Sequence, residues 1–206
     1  MSERLESIFV PDDGPEAPSE AKSQALNFVW TWAEEVLRQV ERVETTRGRM
    51  RSADRMHGDE PGIDQVYLDG LFRELWAAEH TLLWAAYQLE RWRKRLDRER
   101  GHTEREYDRA LQAARNVLEH LDAADFAGGR AVAPPWEPPQ KQRKPQDPYR
   151  SLRKRGGLDL GIADDGAFCG IPSAELRERA LGVVHSVEDD LADEVVDHLV
   201  ELHRGR

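Results

Sequence analysis

The run Arg115-Asn116-Val117-Leu118-Glu119-His120 brings the side chains best suited to chemistry in this chain within six residues of each other. An imidazole, with a pKa of about 6.5, takes up and releases protons at neutral pH. A guanidinium holds phosphate oxygens in a planar fork and stabilises negative charge. The run therefore indicates chemistry on an anionic substrate. The alternative is structural, with Arg115 paired to Glu119 at helical spacing and His120 placed in an interface.

The spacing places Asn116 and His120 on one face of a predicted third helix, because residues four apart stack on a helix. Their neighbours on that face are the small residues Ala113, Ala123, Ala124 and Ala127. Small side chains let another helix approach closely, so His120 could meet its copy in a second chain. Arg115 lies about 140° around the helix from His120, so its long side chain must bend to join the imidazole.

This spacing resembles the signature of the HEPN family (higher eukaryotes and prokaryotes nucleotide-binding), many of whose members are metal-independent ribonucleases. In that signature an arginine is followed by Asn, Asp or His, with a histidine about five residues beyond the arginine. Arg115, Asn116 and His120 match these positions on a helix that follows two long helices. The resemblance extends over residues 62–128 and implies a helical bundle. Periodicity along the chain predicts a mostly α fold, a four-helix bundle with one small β-hairpin before the last helix, which is compatible with that family.

The resemblance implies a catalytic role for each residue of the motif. His120 would move a proton as RNA is cleaved next to its 2′-hydroxyl, Arg115 would stabilise the transition state, and Asn116 would orient His120 or hold a phosphate oxygen. The products would be a 2′,3′-cyclic phosphate and a 5′-hydroxyl.

The resemblance also implies partners. Two facing copies of the motif form the site in this family, so the implied enzyme is a homodimer that acts on RNA with no metal and no cofactor. Its implied setting is a toxin or a phage-defence effector, with a protein antitoxin or regulator as a further partner. The alternative function is a non-catalytic helical module that binds a protein or assembles with itself.

Glu79 and His80 are the predicted supporting residues of this site. Glu79 falls inside the apolar stripe of the second helix, and a buried carboxylate needs a partner. One interpretation pairs Glu79 with Arg115 or His120 and so tunes the site. The other pairs Glu79 with some other arginine at the helix edge.

Contact with RNA would need a local basic patch, because a formal net charge of −10 repels nucleic acid at long range. The predicted RNA contacts in one patch, residues 91–100, are Arg91, Arg93, Lys94 and Arg95. Trp92 in this patch could stack on a base or belong to the core. A second basic patch covers residues 141–155. Both patches can equally be a solvated helix end and a basic linker.

Hydrophobic periodicity and turn signals divide the chain into four segments. Residues 1–20 are predicted to be a disordered tail. The next segment, residues 21–128, holds a helix over 21–50, a helix from 68 to Gly101, and a third helix between a capping box at 103–106 and the glycines at 128–129. A Pro-rich basic linker follows over 129–150. Residues 151–206 add a β-hairpin, with strands at 158–162 and 167–171, and a last helix capped by Ser173, and they complete the same domain.

Length and composition set further expectations. A chain of 206 residues suits one well-buried core, and no run of about 18 apolar residues predicts a membrane span. The acidic, proline-bearing start lacks the features of a signal peptide, so we expect a cytoplasmic protein. Cys169, the one cysteine, is predicted to be a small buried hydrophobe on a strand. The acids and histidines of the last helix are read as a solvated face and not as a metal site.

Overall fold

The structure is a computed structural model that describes residues 20–58, 60–103, 106, 108–128, 130–135, 147, 149–159 and 166–204. The described chain is mostly helical. Its helices are α1 (Glu20–Met56), α2 (Gln65–Glu99), α3 (Arg109–Glu119), α4 (Arg150–Arg155) and α5 (Ser173–Arg204). Its strands are β1 (Asp125–Ala127), β2 (Arg130–Val132), β3 (Leu158–Asp159), β4 (Ala167–Phe168) and β5 (Ile171–Pro172). Residues 1–19 of the predicted tail and residues 136–146 of the predicted linker lie outside the described residues, and Glu20, predicted as the end of the tail, is the first residue of α1.

Helices α1 and α2 form an antiparallel pair that supplies most of the core. Each helix buries one apolar stripe at the predicted helical spacing; the buried side chains include Val29, Val36, Val40 and Val43 of α1 and Leu75, Leu82, Leu83 and Leu89 of α2. Phe28 stacks on Trp92 at one end of the pair, and Arg49 meets Glu74 at 3.2 Å at the other end. The small side chains of Ala33 and Ala85 are fully buried between these larger residues.

Helices α5 and α3 complete the same core. The buried stripe of α5 is Leu176, Ala180, Val183 and Val187, which follows the predicted spacing. Helix α3 packs on α2 and buries Leu111, Ala114, Val117 and Leu118. Among the described residues, no helix is long and apolar enough to cross a membrane.

The predicted bounds of the third helix are wrong at both ends. The N-cap is Asp108 and not Thr103, since the Asp108 carboxylate accepts the backbone N–H groups of Ala110 and Leu111 at 2.8 and 3.0 Å. Helix α3 ends at Glu119, followed by a 3-10 turn over Leu121–Ala123. Strand β1 then pairs with β2. The alanines of this stretch favour a helix, but the strand pairing overrides that preference.

The predicted hairpin joins the wrong strands. Strand β3 pairs with β2, with Leu158 opposite Ala131, and both side chains are buried. Strand β4 instead pairs with β5 through a tight turn at Cys169-Gly170, where both residues have positive φ, 54° and 73°. Two left-handed residues are the signature of a type I′ turn. Local alternation could identify a strand at Leu158 but could not identify the upstream segment that pairs with it.

The predicted linker contains structure of its own. Strand β2 lies inside it, and α4 begins at its last residue, Arg150. Leu152 of α4 is buried, and Gly156 ends the helix with a φ of 66°. A helix of six residues is too short for hydrophobic periodicity to reveal, which is why the sequence did not predict α4.

Candidate functional site

Arg115 is held by both α2 and its own helix. Its guanidinium lies 5.1 Å from the ring centroid of Tyr87 and 5.7 Å from that of Trp84. Its Nη2 forms an ion pair with Glu119, and its Nη1 donates to the Asn116 Oδ1 at 2.9 Å. The predicted structural alternative, an ion pair with Glu119, is therefore present in the folded chain.

His120 lies at the C-terminal end of α3 and is exposed. Its backbone N–H donates to the carbonyl of Val117 at 3.2 Å. Its ring meets Tyr149 edge-on, with centroids 6.1 Å apart and planes at 66°. Tyr149 is the N-cap residue of α4, so the imidazole faces α4 whereas the Arg115 guanidinium faces α2.

The predicted face of small residues around His120 is wrong. Asn116 and Ala113 are half-buried on α3, but Ala123 lies in the 3-10 turn and Ala127 lies in β1. Because α3 ends at Glu119 and His120 is its C-cap residue, the helix cannot carry this face as far as Ala123.

An open groove adjoins His120 through its neighbour in the chain. The groove has a volume of about 430 Å³ and is lined by Phe72, Arg73, Trp76 and Leu121. Three of the four lining side chains are apolar, and Leu121 directly follows His120. This groove leaves apolar surface beside the predicted catalytic histidine.

Glu79 pairs with a residue outside the motif, and the His80 ring contacts an aromatic residue of its own helix. The carboxylate of Glu79 is 2% exposed and forms an ion pair with Arg47 of α1. Burial raises the pKa of Glu79 above its ordinary value, although the Arg47 charge and hydrogen bond oppose the rise. Burial lowers the pKa of His80, whose ring meets Trp76 edge-on at 5.5 Å. The interpretation in which Glu79 pairs with Arg115 or His120 is wrong. The alternative is confirmed in that the partner is another arginine, but Glu79 is buried and not at the helix edge.

The first basic patch is largely compensated by neighbouring acids. Arg93 pairs with Glu90 at 2.9 Å, and Arg95 pairs with Glu99 at 2.5 Å. Lys94 is half-buried, and Arg91 is exposed. Trp92 stacks on Phe28 at 4.2 Å and packs against the core, which confirms the core interpretation of Trp92.

The described part of the second basic patch is α4. Arg153 binds the Asp147 carboxylate at 3.2 Å and the Pro134 carbonyl at 3.0 Å. Arg150 is exposed at the first residue of α4, next to Tyr149. Arg150 therefore directly follows, in the chain, the residue that the His120 ring contacts.

Sequence reasoning missed Arg47, Trp84 and Tyr87. Arg47 did carry a signal, because it continues the buried α1 stripe four residues after Val43. The two aromatics carried none, since an aromatic on a helix predicts core, and only the packing of α3 on α2 brings them to Arg115.

Comparison with known proteins finds no family model, no curated protein and no solved structure that matches this chain. Among the described residues no cluster of three or more histidine, cysteine or acidic side chains is arranged to hold a metal ion. The side chains of residues 193–204, which hold the acids and histidines of the last helix, lie outside the described set.

Proposed function

We propose that this chain is a HEPN-type endoribonuclease that acts without a metal as a homodimer, with its helices arranged as the four-helix bundle of that family. The observation that carries the proposal is the exposure of His120 at the end of α3. Asn116 and Arg115 lie about one helical turn earlier and are hydrogen-bonded to each other. The proposed setting is cytoplasmic, as a toxin or phage-defence effector.

Two features support a site shared between two copies. In one chain the Arg115 guanidinium contacts α2 and the His120 ring contacts α4, so the two groups contact different helices. The apolar groove that begins at Leu121 offers surface that a second copy can bury. A dimer through this region would bring two copies of His120 towards a common cleft.

The proposed reaction needs one base and one acid. The 2′-oxygen of RNA attacks the neighbouring phosphorus, so that the bond from phosphorus to the 2′-oxygen forms and the bond to the 5′-oxygen breaks. One His120 takes the proton of the 2′-hydroxyl, and the second His120 gives a proton to the leaving 5′-oxygen. Arg115 stabilises the charge that builds on the phosphoryl oxygens.

The test is RNA cleavage in excess chelator by the parent protein and by His120→Ala. His185→Ala is the matched control, because His185 is an exposed histidine on α5. We expect the parent and the control to form 2′,3′-cyclic phosphate ends. Loss of general acid–base catalysis should slow His120→Ala at least about 100-fold. Equal cleavage by the parent and His120→Ala would refute the proposal.

The second candidate is the helical interaction module. It is favoured by the Arg115–Glu119 ion pair and by the two aromatic rings next to the guanidinium. These contacts suffice to explain Arg115 as a structural residue that fastens α3 to α2. This candidate predicts dimerisation or protein binding with no cleavage of RNA by any variant.

A further inference from the structure

Trp84 and Tyr87 form an aromatic surface on α2 beside Arg115. Their ring centroids are 6.3 Å apart, and Trp84 is 39% exposed. An exposed tryptophan forgoes the favourable free energy that burial of its apolar surface in the core would provide. The guanidinium of Arg115 lies within 6 Å of both rings, in the range of a cation–π contact.

A second arginine extends this surface along the helix. Arg91 is exposed, and it lies seven residues after Trp84, so both side chains project from nearly the same face of α2. The distance along the axis is about 10 Å. One face of α2 therefore carries an exposed indole, and guanidinium groups lie beside it and beyond it.

The Glu119 carboxylate occupies the place on Arg115 that a phosphate would take. It pairs with Nη2, while the amide oxygen of Asn116 accepts from Nη1. A carboxylate and a phosphate bind a guanidinium through the same geometry of oxygens. Glu119 is exposed and Arg115 is half-buried, so water partly screens the ion pair, and a phosphate can compete with the carboxylate for the guanidinium.

We infer that Trp84, Tyr87 and Arg115 form a binding platform for single-stranded RNA, with a base stacked on Trp84 and a phosphate displacing Glu119 from Arg115. The inference rests on the proposed function and adds the substrate class, since bases stack on aromatic rings only where they are unpaired. RNA is favoured over an acidic protein surface as the occupant, because the exposed Trp84 indole offers a face on which a base can stack and the Arg115 guanidinium offers a charge for a phosphate.

The test is fluorescence anisotropy with a labelled single-stranded oligonucleotide of about ten nucleotides, fully 2′-O-methylated so that it cannot be cleaved. We expect Trp84→Ala to bind about 5- to 150-fold more weakly than the parent. Trp84→Phe should recover much of the affinity, since a phenyl ring still stacks. Tyr67→Ala is the matched control, because Tyr67 is a similarly exposed aromatic, 42%, near the other end of α2.

A variant that is expected to bind more tightly serves as a further test, because simple unfolding could only weaken the binding. Glu119→Gln removes the competing carboxylate, so it should bind the oligonucleotide about two- to fivefold more tightly. The inference is overturned if the parent does not bind, if Trp84→Ala binds like the parent, or if Tyr67→Ala loses as much as Trp84→Ala. It is also overturned if Trp84→Ala only converts a dimer into a monomer, which would assign the surface to a protein interface.

The binding experiment and the cleavage experiment can fail independently of each other. RNA cleavage that depends on His120, together with unchanged oligonucleotide binding by Trp84→Ala, leaves the nuclease and removes the platform. Binding that depends on Trp84, together with equal RNA background in the parent and His120→Ala, keeps the platform and removes the nuclease.

Discussion

Arg47 and Glu79 form a buried ion pair in the helical core, where each charge needs a partner of opposite charge. The Glu79 carboxylate is almost fully enclosed, and Arg47 is 9% exposed. A side chain at Gly166 would collide with the Arg47 guanidinium, so Gly166, directly before β4, lies against the pair. Each charge is tolerated because the other is present.

Removal of one partner should therefore cost much more than removal of a surface ion pair. We expect Arg47→Met to lower the free energy of unfolding by about 3–5 kcal/mol, because it leaves the Glu79 carboxylate buried without its cation. Arg49→Met is the matched control, since Arg49 pairs with Glu74 on the exposed edge of the same two helices, and it should cost about 1 kcal/mol or less. Urea unfolding measures both, and equal losses would contradict the prediction.

The pKa of Glu79 gives this pair a pH signature. Because burial raises the pKa in the folded protein above its ordinary value of 4.5, the folded state binds the proton more tightly than the unfolded chain. The contribution of this group to stability is then highest below pH 4.5 and falls as the pH rises to the raised value. We expect Glu79→Gln to abolish that fall in a series of unfolding curves taken from pH 4 to pH 7.

For single residues, the sequence could predict that Glu79 needs a partner, but it could not identify Arg47 as that partner. An acid within the Leu75 to Leu82 stripe is evident from spacing alone. Its actual partner lies 32 residues earlier, and the pairing depends on the register in which α1 packs on α2. The same is true of Arg115, whose ion pair with Glu119 is local and predictable, whereas its contacts with Trp84 and Tyr87 are not.

At the scale of elements, α3 depends on its first residues. Asp108 caps the helix and also binds Arg179 of α5, so one carboxylate both starts α3 and ties it to α5. Burial alone would raise the pKa of Asp108, but backbone hydrogen bonds from Leu111 and Ala110 and the Arg179 guanidinium hold it below its ordinary value. This stabilisation is present above pH 3.8 and is lost as the pH falls through the lowered pKa.

The double role of Asp108 predicts a graded effect of substitution. Asp108→Asn keeps the cap but loses the charge, so it should cost less than Asp108→Ala, which loses both. We expect about 1–2 kcal/mol for the alanine variant. Asp64→Ala, which removes the cap of α2, is the control and should leave the stability difference between pH 5 and pH 3 closer to that of the parent. Thermal unfolding at the two pH values decides the matter.

Glycine positions offer a test of the sheet. A Cβ at Gly157 would lie 2.8 Å from the carbonyl oxygen of Ala131, and the residue has a φ of 106°. We expect Gly157→Ala to destabilise by about 1–3 kcal/mol. Gly182 is in the interior of α5 with open space around it, so Gly182→Ala should stabilise by about 0.5–1 kcal/mol. Opposite shifts in thermal midpoint confirm both expectations.

The long helices could be predicted from the sequence, whereas the short helix and the strand pairings could not. The stripes of α1, α2 and α5 repeat over many turns, so periodicity finds them. The end of α3 goes with the pairing of the neighbouring strands β1 and β2, whereas the pairing of β3 with β2 joins segments that lie far apart in the chain. The helix was predicted to run to the glycines at 128–129 but ends at Glu119. The predicted face of small residues was therefore wrong as well.

At the scale of the whole molecule, charge and the apolar groove act in opposite directions. Two copies of a chain with a net charge of −10 repel each other, whereas the groove lined by Phe72, Trp76 and Leu121 favours burial. Added salt screens the repulsion and leaves the apolar term intact. RNA binding responds in the other way, because its favourable contacts are themselves ionic.

We therefore expect salt to strengthen dimerisation and to weaken RNA binding. Sedimentation velocity of the parent at 50 and 300 mM salt, about 14 and 6 Å in Debye length, should show more dimer at the higher concentration. Leu121→Asp should reduce the dimer at both concentrations, and Val66→Asp, an exposed position that does not line the groove, should leave it unchanged. A dimer that dissociates when salt is added would exclude an apolar interface.

The turn between β4 and β5 gives the protein a native reporter. Cys169 is 9% exposed and holds a left-handed conformation, and it is the one thiol in the chain. A thiol reagent can reach it only when this hairpin detaches from the core, so the labelling rate under native conditions measures how often that detachment occurs. Since Gly166 at the start of the same hairpin covers Arg47, faster labelling in Arg47→Met would link loosening of this cover to the loss of the ion beneath it.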